Sequence, residues 1–515
     1  MRLLDTETGR FIDHQGGVPY AILSHVWDKR ELSYQDLQQI QSLFGRNVSQ
    51  LSDRDDVLTP RSSSFTSALL GSCILDHPDV TPKVRDACRI ARERGYRYIW
   101  IDSCCIDKTS SSELSEAINS MHRWYRDASV CYAFLVDVPT APRSEIRSPG
   151  SAFHRSRWFT RGWTLQELIA PRSLVFLSQN WAPLGTKESL VDVVETITGI
   201  DQDILRHHKA LDQVSVARRM SWASRRNTTR VEDEAYCLLG IFGINMETLY
   251  GEGRHAFFRL QERILMLIPD QSIFAWGLPF PRRLPHPSPP EVLDFVQLDA
   301  TLFAQAPADF AQSDAIVSLP HHVFRAKLNR SALRPPEYSF SSYGLRTQLP
   351  VVPAHAHYTT PEYVFVILAC QHSAGAGSDD FIAIVFSVHA DASAPVSEAE
   401  AHTQLVVWGA EVATAELERA VRTCRLVALS LEDIRARQSP RIRDLLWSVY
   451  LPSYDRSNSE SALVTVEEVE VLLAPSVTRD MAAKGYEVGY EVGTSIRRFE
   501  LSLRRDDIGF FMRGT

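Results

Sequence analysis

The stretch YRYIWIDSCCIDKTSSSELSEAINSMHRWYRDASVCYAFLV (96–136) decides the fold class of this chain of 515 residues. Its two ends, 96–102 and 130–136, are apolar runs of strand length that are rich in aromatic and β-branched residues. Between them, Ser110 and Glu113 stand at capping-box spacing, which predicts a helix start. The helix carries one apolar stripe, formed by Leu114, Ala117, Ile118, Met121, Trp124, Tyr125 and Ala128. A strand, a helix and a second strand in succession predict parallel pairing in a sheet that helices cover.

The same alternation extends in both directions and predicts a first domain over 1–185. Residues 20–24 (YAILS) and 174–177 (LVFL) predict two more strands, and a Thr-Pro pair and a Gly bound a predicted helix over 81–95. Residues 45–78 are rich in Ser and Asp with scattered prolines, which indicates an inserted surface loop. We therefore expect an α/β domain with a mostly parallel sheet.

The pattern turns helical over 186–270, where apolar stripes predict helices at 231–242 and 254–268. Prolines crowd 279–290 and short apolar runs dominate thereafter, so 271–515 is predicted to be a β-rich domain. Its clearest feature is a hairpin of two apolar runs around a Gly- and Ala-rich loop. The strands predicted in this domain lie at 363–370, 381–388, 405–408, 425–429, 462–473 and 496–503.

Composition and charge restrict the functions open to the chain. Hydrophobic residues make up 44% and charged residues 23%, as in ordinary globular proteins, and the net charge of −8 argues against wholesale nucleic-acid binding. No apolar run approaches the roughly 18 residues of a membrane-spanning helix, and the acidic N-terminus does not resemble a signal peptide. The eight Cys residues have no zinc-like spacing. We expect a cytoplasmic protein with no metal, no membrane span and no nucleic-acid partner.

Polar clusters follow the predicted strands, and this is where ligands bind in α/β sheets. The candidates are Ser24, His25 and Trp27 after the first strand, Asp102 after the second, Ser178 after the fourth, and Arg161, Trp163 and Glu167 between the last two. Among tryptophans, the Glu167 carboxylate is partly desolvated, which raises its pKa and strengthens its action on a developing cation. By spacing alone, Glu167 is also explained as a helix residue paired with an Arg, and His25 as a crevice histidine without a catalytic role.

Four blocks in order resemble the HET domain of fungi, which is named for heterokaryon incompatibility, the death of fused cells from non-matching strains. The blocks are YAILSHVW (20–27), YIWIDSCCIDK (98–108), ELSEAINSMHRWYRDASVCYAFLVDV (113–138) and WFTRGWTLQELIAP (158–171). Residues 221–265 resemble the helical module that follows the HET domain in many fungal proteins. The chain departs from the commoner pattern at Asp28, where many members have Gly, and at Lys108, where many have Gln.

HET domains are regarded as distant relatives of TIR domains, and this resemblance implies a catalytic residue. The WTLQEL block is similar to the TIR helix whose glutamate is catalytic in NAD-cleaving TIR enzymes, which by position implies Glu167. Breaking the nicotinamide–ribose bond passes through an oxocarbenium-like state that a carboxylate stabilises, and nicotinamide leaves as a neutral molecule. NAD is then a substrate and not a cofactor. Trp27 or Trp163 is expected to stack on one of its rings, and Arg161 to hold its pyrophosphate.

The resemblance implies a cell-death and non-self-recognition protein that acts by one of three routes. The first is NAD glycohydrolase activity. The second is a non-catalytic adaptor role, through self-association or binding of another incompatibility-pathway protein. The third is a hydrolase with Cys104 or Cys105 as nucleophile and His25 as base. The sequence contains no GxxxxGK[ST] motif, so it lacks the nucleotide-driven oligomerisation engine of some HET-containing proteins.

Overall fold

The computed structural model describes a defined part of the chain, which divides into two compact units, Met1–Tyr454 and Asp455–Thr515. Described are residues 1–14, 16–52, 73–277, 302–330, 333–341, 344–353, 363–373 and 381–387, and the backbone of six later strands. Within these ranges, no helix combines the length and the apolar character that crossing a membrane requires.

A seven-stranded sheet organises the first part of the chain. Its strands are β1 (Arg2–Asp5), β2 (Phe11–Asp13), β3 (Ala21–His25), β4 (Tyr98–Trp100), β5 (Val130–Phe134), β6 (Leu174–Leu177) and β7 (Pro183–Thr186). They lie side by side in the order β2-β1-β4-β3-β5-β6-β7. The central strands β4, β3, β5 and β6 are parallel, and each matches a strand predicted from the sequence. The α/β character of this region is thereby confirmed.

The sheet is mixed, so the prediction of a mostly parallel sheet is wrong at its edges. The strands β1, β2 and β7 pair antiparallel to their neighbours and are only three or four residues long. Strands this short carry too few residues for an alternating pattern to emerge. Counted along the chain, the four parallel strands stand in the spatial order 2-1-3-4. The winding direction reverses between β3 and β5, and ligands of such sheets bind beyond the carboxyl ends of the strands at this point, which we call the crevice.

The helices of the first part begin and end close to the sequence signals. They are α1 (Tyr34–Ser52), α2 (Pro82–Glu93), α3 (Asp102–Cys105), α4 (Ser111–Asp127), α5 (Arg143–Ile146) and α6 (Thr164–Ile169). Ser110 opens α4 as predicted, because its Oγ accepts a hydrogen bond from the N–H of Glu113 at 3.3 Å. The Glu113 carboxylate does not complete a capping box. It accepts from the N–H of Asp107 and from the Arg2 guanidinium, both at 2.8 Å, and so ties α4 to β1.

The predicted surface loop at 45–78 is wrong at both ends. The helix α1 continues through Ser52, and residues 53–72 lie outside the described ranges. Ile74 and Leu75 are buried in a short 3₁₀ helix, and the Arg85 guanidinium donates to the carbonyl of Leu75 at 2.9 Å. The polar composition of the insertion indicated exposure, but burying two apolar side chains outweighs that tendency.

The segment after β7 is helical, as predicted. Its helices are α7 (Val191–Thr198), α8 (Gln202–Leu205), α9 (Val216–Ser221), α10 (Asp233–Tyr236), α11 (Leu239–Phe242) and α12 (His255–Leu267). The last confirms the helix predicted at 254–268, whereas the single helix predicted at 231–242 is wrong, since α10 and α11 are separate. Gly240 of α11 approaches α4 so closely that an added Cβ would lie 2.1 Å from the Cβ of His122. This tertiary contact fixes α11 independently of α10.

One apolar core extends from Leu3 to Ile384 and includes both the sheet and the helical segment. It crosses the predicted domain boundaries at 185 and 270 without interruption. The helical segment therefore packs as part of the same folded body as the sheet. Those boundaries stay predictions of the sequence.

Strands dominate the described part of the C-terminal region. An eight-stranded sheet contains β8 (Ile316–Ser318), β9 (Ser339–Ser341), β10 (Gly344–Pro353), β11 (Tyr363–His372), β12 (Phe381–Ser387), β13 (Gln404–Val406), β14 (Leu426–Leu429) and β15 (Leu446–Leu451). A helix, α13 (His321–Lys327), follows β8. The predicted hairpin is confirmed, because β11 and β12 pair antiparallel.

The second unit contains a separate three-stranded antiparallel sheet of β16 (Glu487–Val492), β17 (Phe499–Arg505) and β18 (Ile508–Arg513). Of the predicted strands, those at 405–408, 425–429 and 496–503 overlap β13, β14 and β17. The strand predicted at 462–473 and the proline-rich stretch at 279–290 lie outside the described residues.

Candidate functional site

The crevice at the switch point gathers five of the eight candidate site residues predicted from the sequence. Ser24 and His25 end β3, Trp27 follows two residues later, and Asp102 follows β4. Glu167 reaches the same place from α6, the helix that precedes β6. These side chains converge because the carboxyl ends of neighbouring parallel strands meet at one edge of a sheet.

Glu167 lies at the buried floor of the crevice, with 4% of its surface exposed. The Oγ of Ser24 donates to its Oε2 at 2.5 Å, and the indole Nε1 of Trp158 donates to that Oγ at 2.8 Å. Ser24 and Trp158 are both fully buried. Because the Ser24 oxygen accepts a hydrogen bond from the indole, its hydroxyl proton points toward Glu167. The three side chains therefore form a short relay that fixes the carboxyl group.

Burial raises the pKa of Glu167 to about 8. The hydrogen bond from Ser24 opposes this shift, the negative charge of Asp102 adds to it, and contributions from Tyr125 and Arg161 oppose it. At pH 7 most molecules therefore carry a protonated, neutral Glu167. This agrees with the expectation that a carboxylate among tryptophans has a raised pKa.

His25 is held at both ring nitrogens. Its Nε2 lies 2.8 Å from Oδ1 of Asp102, and its Nδ1 lies 3.3 Å from Nζ of Lys83. The neutral tautomer with the proton on Nε2 satisfies both contacts, because it donates to the carboxylate and accepts from the ammonium. Lys83 also donates to the carboxylate of Glu31 at 2.5 Å. This network makes His25 a fixed part of the crevice wall.

Asp102 connects the buried wall to the rim of the crevice. Burial disfavours its charge, but His25, Lys108 and a hydrogen bond from Trp27 outweigh that effect and lower the pKa of Asp102 to about 2. The Nε1 of Trp27 donates to Oδ2 of Asp102 at 2.7 Å, and Nζ of Lys108 lies 4.2 Å from the Trp27 ring centroid. With 44% of its surface exposed, Trp27 presents an oriented aromatic surface at the rim.

The two departures from the commoner family pattern both place a charge at this rim. Lys108 packs over Trp27 and donates to the carbonyl of Asp102 at 2.8 Å. Asp28 pairs with Lys83 at 2.7 Å and with Arg157 at 3.1 Å. Asp28 therefore adds two ion pairs beside the crevice, and Lys108 adds a cation that packs on Trp27.

Sequence reasoning missed Lys83 and Glu31, which complete the His25 network. Lys83 stands in the first turn of α2, where the helix dipole disfavours a positive charge. That unfavourable position was the available signal that a tertiary partner holds the side chain. Glu31 lies in a loop with no pattern around it, so nothing in the sequence indicated its role.

Arg161, Trp163 and Ser178 form hydrogen bonds with partners other than the Glu167 carboxyl group. The Arg161 guanidinium donates to Oγ1 of Thr229 at 3.2 Å, and Trp163 donates to the carboxylate of Asp233 at the start of α10. Ser178 stabilises the turn after β6, where its Oγ accepts from two backbone N–H groups. Arg161 and Trp163 thus face the helical segment, and their predicted roles in ligand binding stay predictions.

The thiols of Cys104 and Cys105 are buried in α3. Contact with Cys105 and burial both raise the pKa of Cys104 well above its ordinary value, which disfavours the nucleophilic thiolate. His25 is engaged by Asp102 and Lys83. This arrangement does not favour the Cys/His hydrolase route. Nowhere in the described ranges do three or more His, Cys, Asp or Glu side chains form a cluster able to hold a metal ion.

The start of α6 is held against the helical segment by direct backbone pairing. The N–H of Gly162 donates to the carbonyl of Asn227 at 2.9 Å, and the N–H of Asn227 donates to the carbonyl of Thr160 at 2.7 Å. A Cβ added at Gly162 would lie 2.5 Å from Cγ2 of Thr228. Glycine at this position therefore permits the close approach of the two segments.

Gly162→Ala is expected to lower the free energy of unfolding by about 1–3 kcal/mol, because the added methyl group overlaps Thr228. Thr228→Ser removes the overlapping Cγ2 and keeps the hydroxyl that donates to the carbonyl of Arg230. Thermal denaturation of both single variants and the double variant measures the coupling. We expect Thr228→Ser to restore most of the stability lost in Gly162→Ala, and strictly additive effects would contradict this account of the contact.

The fold and the site define an α/β protein with a buried carboxyl group at the switch point of its parallel strands. Residues 20–145 match the family model of the heterokaryon incompatibility protein (HET), and residues 255–455 match a domain of unknown function (DUF8212). The chain is 43% identical over 251 residues to the vegetative incompatibility protein HET-E-1 of Podospora anserina. This match covers 48% of the chain but only 16% of that relative. No solved structure matches the chain significantly.

The match at 20–145 lies where the first three sequence blocks indicated a HET domain. The matched model ends at residue 145, so Glu167 and the whole of α6 lie beyond it.

Proposed function

We propose that this protein acts in heterokaryon incompatibility as a cell-death protein whose HET domain cleaves NAD at the nicotinamide–ribose bond. The observation that carries the proposal is the position of Glu167, in the crevice where ligands bind in such sheets and within hydrogen-bonding distance of Ser24. The relation to HET-E-1, a vegetative incompatibility protein, supports the biological role. The likeness of the WTLQEL block to the TIR helix supports the reaction.

In this reaction the bond between nicotinamide and ribose breaks, and its electron pair leaves with neutral nicotinamide. The Glu167 carboxylate stabilises the ribosyl cation until water adds, giving ADP-ribose and a proton. Ser24 holds the carboxyl group in place through the relay from Trp158. Trp27 stacks on a ring of the substrate, oriented by its hydrogen bond to Asp102. The ionised form of Glu167 performs this role, and its burial keeps the surrounding dielectric low.

The test is nicotinamide release from NAD by the purified full-length protein, followed by chromatography between pH 7 and 9. We expect stoichiometric production of nicotinamide and ADP-ribose, unaffected by a thiol alkylator because the mechanism uses no cysteine. Absence of release over this pH range and over a hundredfold range of protein concentration overturns the proposed reaction.

Trp27→Ala is expected to raise KM for NAD about tenfold and to change kcat by less than a factor of about three, since stacking contributes mainly to binding. Trp27→Phe keeps an aromatic face but loses the hydrogen bond to Asp102, and should give an intermediate KM. Steady-state kinetics of the three proteins make the comparison. An unchanged KM in Trp27→Ala would remove Trp27 from the binding site.

A second candidate function, that of a non-catalytic adaptor, rests on burial. Glu167 is 4% exposed and Ser24 is not exposed, so direct contact with a substrate requires the crevice to open. The end of α12 presents two apolar side chains, Met266 and Leu267, with 56% and 65% of their surfaces exposed. Assembly of the protein with rising concentration in sedimentation experiments, without NAD turnover, would favour self-association over catalysis.

A further inference from the structure

Arg226 of the helical segment contacts the beginning of the helix that carries Glu167. Its Nη1 donates to the carbonyl of Arg161 and to Oγ1 of Thr164, both at 3.0 Å, and its Nε donates to the carbonyl of Trp222 at 3.1 Å. Thr164 is the first residue of α6. The Arg226 guanidinium thus binds both the segment that precedes α6, at Arg161, and the first turn of α6, at Thr164.

The contact continues to the carboxyl group of Glu167. The Thr164 hydroxyl accepts from Arg226 and donates to the carbonyl of Trp158 at 2.5 Å. The indole of Trp158 in turn donates to Ser24, which donates to Glu167. A displacement of the Arg226 guanidinium is therefore passed through Thr164 to Trp158, the residue that donates to Ser24.

Arg226 also places a positive charge near Glu167. Burial lowers the pKa of Arg226 to about 10, and interactions with Cys237 and Glu167 oppose that shift. The guanidinium therefore stays protonated at neutral pH. Within the described part of the chain it forms no ion pair with a carboxylate. The charge is therefore available to act on Glu167 when that group ionises.

Other groups also face the Glu167 carboxyl group from the elements packed around it. They are Asp102 of α3, Tyr125 of α4, Cys131 of β5 and Arg161 before α6, together with Ser24 of β3. Asp102, Tyr125 and Cys131 are neutral when protonated and negative when ionised, so none of them supplies a positive charge to Glu167. Arg161 lowers the pKa of Glu167, and Glu167 in turn raises the pKa of Arg226, so both cations interact favourably with the ionised carboxyl group.

We propose that Arg226 is a positioning residue for Glu167, which fixes the first turn of α6 and favours the ionised carboxyl group by its charge. This inference rests on the proposed function, and it extends the functional unit beyond the HET family match at 20–145 and beyond the predicted boundary at 185. A HET domain cut at that boundary lacks one of its positioning residues.

The first test compares pH profiles of NAD cleavage for the full-length protein and the variants Arg226→Gln and Arg226→Lys. Arg226→Gln removes the charge, so the midpoint for ionisation of Glu167 should rise by about half a pH unit or more, with at least about a threefold loss of kcat/KM at pH 7. Arg226→Lys keeps the charge and should show a smaller shift. Arg225→Gln, at the exposed neighbouring position, is the matched control and should leave the profile unchanged.

A second test does not depend on catalysis. Thermal unfolding between pH 5 and 10 is measured with and without Glu167→Gln, in the native protein and in Arg226→Gln. The difference between the two curves of each pair reports the pKa of Glu167. The reason is that the carboxyl group of Glu167 titrates, whereas the amide that replaces it in Glu167→Gln does not. We expect this difference to level off near pH 8 in the native protein and at a higher pH in Arg226→Gln.

The outcomes separate the two proposals. Superimposable difference curves and unmoved pH profiles overturn the role of Arg226. A shifted difference curve without NAD turnover in any form overturns the proposed reaction and leaves the coupling between Arg226 and Glu167 established. Where Arg226→Gln does not fold, Arg226→Lys takes its place, since its single ammonium does not reproduce both contacts of the guanidinium. An unchanged kcat/KM and difference curve in that variant would likewise contradict the proposal.

Discussion

Glu167→Gln is expected to lower kcat/KM for NAD cleavage by at least about a hundredfold while the protein remains folded. The amide has nearly the size of the carboxyl group, and its oxygen still accepts from Ser24. It cannot carry the negative charge that stabilises the ribosyl cation. Because most Glu167 side chains are neutral at pH 7, the neutral amide suits the buried site, and the variant should unfold at the same temperature or higher.

The matched control is Glu116→Gln, a change of the same chemistry at an exposed position of α4. It should leave both kcat/KM and the unfolding temperature unchanged. Circular dichroism and thermal denaturation of all three proteins establish that they are folded. Full activity in Glu167→Gln would show that the carboxyl group is a buried helix residue without a catalytic role, and the adaptor function would then be preferred.

The rate of NAD cleavage is expected to rise about tenfold between pH 6 and pH 7 and to level off above pH 8. The reason is that burial raises the pKa of Glu167 to about 8, and only its ionised form stabilises the cation. Asp102, with a pKa of about 2, stays ionised throughout and adds no inflection to the profile. The measurement is kcat/KM from pH 5.5 to pH 9.5 at constant ionic strength.

Stability should change with pH in the opposite sense. The folded protein holds a proton on Glu167 that the unfolded chain, with the ordinary pKa of 4.5, releases earlier. The resulting stabilisation is complete below pH 4.5 and is lost as pH rises through about 8. Activity therefore increases over the range in which this contribution to stability decreases. A rate that falls with rising pH would contradict this assignment, because it would identify protonated Glu167 as a general acid.

Local signals predicted the elements at the centre of the fold correctly. The strands at 20–24, 130–136 and 174–177 are continuous apolar runs, and such runs are typical of strands buried on both faces. The helix α4 was predicted from its cap at Ser110 and its single apolar stripe. The edge strands β1, β2 and β7 were missed because each has only three or four residues.

The prediction of a single helix at 231–242 was wrong for a different reason. Its apolar pattern is compatible with one helix, yet the structure has two, because α11 packs against α4 with Gly240 directly at His122. A contact between residues more than a hundred positions apart leaves no periodic trace in the local sequence. The prediction of a surface loop at 45–78 was wrong for a similar reason, since the burial of Ile74 and Leu75 depends on partners that are distant in the sequence.

By itself, the sequence determined the α/β class of the first region, the order of its central strands along the chain, and the resemblance to the HET domain. These follow from local periodicity, capping residues and motif blocks, which are properties of neighbouring residues. It also singled out Glu167 as a carboxyl group with a raised pKa, because tryptophans flank it in the sequence.

Only the tertiary structure decided what holds Glu167. Ser24, Trp158 and Arg226 come from three separate segments, and hydrogen bonds between them depend on the spatial order of the strands and on the packing of the helical segment. It also decided that His25 lies between Asp102 and Lys83. Hydrogen bonds and charges act over a few ångströms in space, whatever the separation along the chain, so the site exists only once the chain has folded.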